Sequence, residues 1–76
     1  MTYIDLYREL NDAGVPEDKY RLYDSYGTGR RYMLVKKHDG SYSVVEHKKH
    51  LETSKRFETE DDACREMARK LAKYAE

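Results

Sequence analysis

The side chains with which this chain could do chemistry are few: three histidines (His38, His47, His50), one cysteine (Cys64), an acidic run from Glu60 to Asp62 and a short glycine pair, Gly27 and Gly29. The histidines, with Glu46 or Glu52, suit a metal by ligand type, but their spacing matches no closed zinc site and no second thiolate accompanies Cys64. A nucleophilic cysteine needs exposure and a neighbouring base. Cys64 instead shares an apolar helical stripe with Met67 and Leu71, which predicts a buried, inert thiol. Gly27-Thr28-Gly29 leads into no helix, so it lacks the helix N-terminus that a phosphate-binding loop uses and reads as a turn. The acids at 60–62 have a capping role that already accounts for them. The expectation is a non-enzymatic chain with no metal and no cofactor.

Two features remain that suit binding. There are eight tyrosines, one phenylalanine and no tryptophan, and Tyr20, Tyr23, Tyr26, Tyr32 and Tyr42 fall in the expected sheet. Tyrosine joins a rigid apolar ring to a polar tip, which enriches it at protein interfaces; it also has high strand propensity and can fill a thin core. The second feature is a basic segment over 30–56: His47-Lys48-Lys49-His50, Lys36-Lys37-His38 across a hairpin, and Lys55-Arg56. Such a zone can hold phosphates or an acidic protein, and edge lysines also discourage sheets from pairing with one another.

The elements that must position these residues are legible from local pattern. Thr2 with Asp5 three residues on starts a helix at Tyr3, whose apolar stripe holds Tyr3, Tyr7 and Leu10 with Ile4 and Leu6 beside them, and Gly14-Val15-Pro16 stops it. Tyr20 to Tyr26 reads as a first strand, with Tyr20 and Leu22 on one side and Tyr23 on the other. After the Gly27-Thr28-Gly29 turn, Arg31 to Lys37 reads as the central strand. Asp39-Gly40 predicts a tight type I′ hairpin turn, and Ser41 to His47 returns with Tyr42, Val44 and Glu46 alternating against Ser43, Val45 and His47. A short fourth strand spans Leu51 to Phe57. Thr59 caps a second helix carrying Cys64, Met67, Leu71 and Tyr74 on one stripe. The expected fold is therefore α+β: an N-terminal helix, an antiparallel meander of three to four strands and a C-terminal helix. Both helices are expected on one face of the sheet, leaving the other face open and rich in tyrosine.

Seventy-six residues make one domain, 1–76, with a thin core. Fifteen basic and fifteen acidic side chains cancel, yet residues 21–56 hold nine basic against four acidic. A lone cysteine and a start interrupted by Asp5, Arg8 and Glu9 show no disulfide framework, export signal or membrane span, which sets a cytoplasmic expectation.

On Gly14-Val15-Pro16-Glu17-Asp18-Lys19-Tyr20-Arg21-Leu22 and Arg56-Phe57-Glu58-Thr59-Glu60-Asp61-Asp62-Ala63-Cys64, the chain resembles bacterial immunity proteins of polymorphic toxin systems, of the immunity protein family fifty-nine type, from about Leu6 to Leu71. The resemblance implies tight binding to a cognate toxin domain and no catalytic residue. Unlike many immunity proteins against nucleases, this chain is not strongly acidic, which argues against a nuclease target. The expected contact residues are Tyr23, Tyr26, Arg31, Tyr32, Lys36, Tyr42 and Glu46. Two alternatives stand beside this reading: a phage or mobile-element inhibitor of a host defence enzyme, and a small nucleic-acid-binding module using segment 30–56.

Overall fold

The computed structural model describes residues 1–23 and 28–76. Helix α1 runs over Tyr3–Asp12. Its start is the expected capping box: the Thr2 hydroxyl accepts from the Asp5 amide while the Asp5 carboxylate accepts from the Thr2 amide. Gly14, at φ 80, ends it, and the Val15 amide reaches back to the Leu10 carbonyl. Leu6 and Leu10 are buried, whereas Ile4 is exposed.

A 3-10 turn at Glu17–Lys19 leads into strand β1, Tyr20–Leu22, followed by β2, Tyr32–Lys36, β3, Tyr42–Lys48, and β4, Leu51–Phe57. Helix α2 spans Glu60–Leu71, capped by Thr59 as expected, and ends in a 3-10 turn at Ala72–Tyr74. The four strands lie in the order β1-β2-β3-β4.

The sheet is not the expected antiparallel meander. β2–β3 and β3–β4 are antiparallel, but β1 pairs with β2 in parallel, Tyr20 opposite Tyr32 and Leu22 opposite Leu34. Parallel neighbours need a crossover instead of a hairpin, and the one here joins residues 22 and 32. Its last part lies close against the start of β1, where the Gly29 amide donates to the carbonyls of Glu17 and Tyr20 at 3.2 and 3.1 Å. A Cβ at Gly29 would stand 2.1 Å from the Asp18 carbonyl oxygen, so only glycine fits. Gly27-Thr28-Gly29 is the expected turn between antiparallel strands; Gly27 lies outside the described residues, and at Gly29 the chain makes a close backbone approach before entering the sheet in parallel.

The β2–β3 hairpin forms where expected, but not with a type I′ turn. Gly40 takes φ 89, whereas Asp39 is not in the positive-φ region. The Gly40 amide donates to the Lys37 carbonyl and the Lys37 amide to the Ser41 carbonyl. This is the three-residue loop with a left-handed glycine bulge. The Asp39 carboxylate stabilises it by accepting from the Ser41 amide and hydroxyl at 2.9 and 2.7 Å.

One core holds the fold together. Leu6 and Leu10 of α1 and Ala63, Cys64, Met67 and Leu71 of α2 pack with Tyr20, Leu22, Tyr32, Leu34 and Val44 of the sheet. Both helices therefore share one face, as expected. The tyrosines share it with them, which overturns the expectation of an open face rich in phenol rings. Tyr20 and Tyr32 are wholly buried and Tyr42 half-buried, because the β1–β2 and β2–β3 registers set 20, 32, 34, 42 and 44 on the helix side. Tyr23 joins them through its backbone: φ of 54 breaks the alternation that would have turned it outward. Its ring meets Tyr3 edge-on at 4.8 Å and its hydroxyl donates to Glu60 at 2.9 Å. The opposite face carries Met33, Val35, Ser43, Val45 and Ser54, with no tyrosine and no covering helix among the described residues.

Candidate functional site

The expected contact residues do not form one surface. Tyr32 is buried, donating to the Glu46 carboxylate at 3.2 Å, and Tyr23 and Tyr42 belong to the rim of the core. Tyr26 lies outside the described residues. Arg31 and Lys36 are exposed, but they sit at opposite ends of β2.

Glu46 is also internal. It is nearly buried, accepts from Tyr32 and Lys70, and pairs with Lys48 at 3.4 Å. Burial pushes its carboxyl up, but hydrogen bonds from Lys48 and Tyr32 and the charges of Lys48 and Lys70 outweigh this and hold it below its ordinary 4.5. A carboxyl lowered by folding contributes stability above about pH 4.5, and that contribution is lost as pH falls through the lower, folded value. Glu46→Gln should therefore cost about 1 kcal/mol at pH 7 and less at pH 3, read from urea unfolding at both pH values. An equal cost at both would show that the charge of Glu46 is irrelevant.

The basic segment is likewise divided. Lys36, Lys37 and His38 stand at the end of the sheet where β2 turns into β3, together with Arg56, which makes exposed pairs with Asp39 at 3.3 Å and Glu58 at 3.0 Å. Lys55 pairs with Glu66 at 3.8 Å. His47, Lys48, Lys49 and His50 lie at the other end, where β3 turns into β4. There the tertiary structure adds Arg30 and Arg31, at the entrance to β2, and Lys19 from the 3-10 turn before β1. The His47 amide donates to the Arg31 carbonyl at 2.9 Å, which ties the two segments together.

Two open concavities mark this end. One, of about 480 Å³, is lined by Asp18, Lys19, Arg30, Arg31, His47, Lys49 and Tyr74. The other, of about 460 Å³, is lined by Arg31, Lys48, Lys49, His50 and Leu51. Lys48 is paired with Glu46, and His47 faces Glu52 at 3.6 Å. Arg30, Arg31 and Lys49 make no ion pair among the described residues. Lys49 is held outward on the two-residue β3–β4 turn at φ 49, a left-handed conformation that a lysine adopts only at a cost of about 1 kcal/mol. Leu51 beside it is 70% exposed. The end thus presents three cations with no ion pair among the described residues, two of them, Arg31 and Lys49, beside an exposed leucine, an arrangement suited to an acidic surface with an apolar patch.

The basic segment 30–56 includes Arg30, Arg31 and the run 47–50; sequence pattern missed Lys19 and Tyr74 and did not single out Leu51, because their membership depends on pairings between distant segments. Of the tyrosines read as an interface signal, Tyr20 and Tyr32 lie in the core and Tyr23 and Tyr42 pack against it. Cys64 is buried as expected, and burial pushes its thiol up to about 12, far from a nucleophile's range. Among the described residues no three His, Cys, Asp or Glu side chains gather as a metal site, and no helix is long and apolar enough to cross a membrane. Compared with protein-family models, curated proteins and solved structures, the chain matches none.

Proposed function

We propose that the chain is a non-enzymatic binding protein that neutralises a protein target, as the resemblance to immunity proteins implies, and that it docks through the cationic end of its sheet. The observation that carries this reading is the set Arg30, Arg31 and Lys49, three exposed charges with no ion pair among the described residues, lining two concavities that share Arg31 and Lys49, the second of which also holds the exposed Leu51. Charges left uncompensated on one end of a chain of zero net charge favour recognition over general attraction: they steer and orient an acidic partner, while the whole molecule has no net pull on polyanions.

Nucleic acid would use the same cations and would need a free aromatic face for stacking. The ring that lines this site, Tyr74, already carries Lys19 at 5.4 Å and Lys73 at 5.3 Å from its centroid. That occupancy favours a protein partner. The test is co-expression with the product of the adjacent gene, followed by calorimetry on the purified pair. Rescue of growth together with a nanomolar complex is expected, and failure of the two proteins to bind ends the immunity reading. Tight binding to single-stranded RNA or DNA at low salt, with a steep salt dependence, would instead assign the cations to phosphates.

A further inference from the structure

β4 leaves one edge of the sheet open. The other edge is β1, where Gly29 already bonds to the Tyr20 carbonyl. All of β4 except the half-buried Phe57 is exposed. The direction of its peptide groups follows from the pairing. The His47 amide points to Arg31, so residues 43, 45 and 47 of β3 face β2 and residues 42, 44, 46 and 48 face β4. In β4, Leu51, Thr53, Lys55 and Phe57 then bond to β3, while Glu52, Ser54 and Arg56 turn their N–H and C=O groups to solvent.

We propose that a second copy of this chain pairs there, β4 against β4, antiparallel about a two-fold axis through Ser54. In that register Leu51 falls opposite Phe57 of the second copy, Glu52 opposite Arg56, and Thr53 opposite Lys55, each contact occurring twice. The pairs Glu52–Arg56 and Ser54–Ser54 are the ones whose peptide groups point outward, so each exchanges two backbone hydrogen bonds. Leu51 and Phe57 meet on the helix side as a non-hydrogen-bonded pair, where side chains approach closest; this covers Leu51, so a paired second copy and a target docked on that leucine exclude one another.

The register is selected. Sliding one copy by two residues sets Lys55 opposite Lys55 in one direction and Leu51 opposite Lys55 in the other; sliding further sets Arg56 opposite Arg56 or Glu52 opposite Glu52. Lys55 lies on the helix side, 3.8 Å from Glu66 and over the Phe57 ring at 5.4 Å, and in this register it falls opposite Thr53, so no two lysines meet. The Arg56 pairs with Asp39 and Glu58 are exposed and therefore weak, so the guanidinium is free to turn to a second copy's Glu52.

One strand from each copy makes a small interface, so self-association belongs to the weak class and is sought by sedimentation velocity from about 10 μM to about 1 mM. The expected mass rises with concentration toward twice that of the monomer. R56E, which sets Glu against Glu52 twice, should raise the dissociation constant about tenfold or more, and the swap E52R/R56E should restore it. S54P, which removes an outward N–H and leaves the β3–β4 bonds intact, should abolish association. Circular dichroism of each variant separates loss of pairing from loss of fold. A wild-type chain that stays monomeric throughout, or a swap that does not recover what R56E loses, overturns the proposal.

Discussion

Gly29→Ala should cost about 3 kcal/mol or more of stability, enough to leave the chain marginal at 37 °C. A domain of 76 residues is expected to hold only about 4 to 11 kcal/mol in total. The added methyl would sit 2.1 Å from the Asp18 carbonyl oxygen and 2.7 Å from the Lys19 amide nitrogen, and both atoms are backbone that no rotamer change can move aside. Relief requires residues 28–29 to lift off β1, giving up the bonds from Gly29 to Glu17 and Tyr20 and loosening the crossover that makes β1 parallel. Gly40→Ala is the matched control. It has a positive φ of 89 but open space around it, so its cost should be about 1 kcal/mol, from backbone strain alone. Urea unfolding of both variants decides the matter. A Gly29→Ala protein within about 1 kcal/mol of wild type would mean that the crossover does not depend on this contact.

Reversal of two charges, Arg31→Glu with Lys49→Glu, should weaken binding to the neutralised protein about 100-fold, or about 2.7 kcal/mol, while unfolding stays within about 0.5 kcal/mol of wild type. Neither side chain has an ion pair to lose among the described residues. The loss should fall on the association rate as well as on dissociation, and the salt dependence of binding should flatten, because the reversed charges repel the acidic surface they once steered. Lys36→Glu, at the far end of β2, should change affinity less than threefold. Equal losses from the two ends would place the interface elsewhere, and titration calorimetry at two salt concentrations reads all three proteins.

The local elements were legible because their causes lie within a few residues of each other. The Thr2–Asp5 box, the Gly14 stop, the Thr59 cap and the buried stripe of Cys64, Met67 and Leu71 each depend on contacts between i and i+3, i+4 or i+7. Alternation over Ser41 to His47 likewise put Val44 and Val45 on opposite sides, as the strand Tyr42–Lys48 has them. It left open which of the two sides would meet the helices. The tyrosines of the expected sheet looked like a docking surface; of those described, Tyr20 and Tyr32 are instead large residues of the core, and Tyr23 and Tyr42 pack against it.

What the sequence determined by itself was therefore the list of elements, their caps, the single core and the buried thiol, since propensity, capping and periodicity act over short separations along the chain. Tertiary structure alone decided the parallel entry of β1, the inward turn of Tyr23, the burial of Glu46 and the union of Arg30 and Arg31 with Lys49. Each of these follows from a strand register or a backbone approach between segments far apart in sequence. In a thin two-layer fold, a single backbone contact at Gly29 accompanies the choice between an antiparallel and a parallel neighbour, and a single positive φ decides which face a ring occupies.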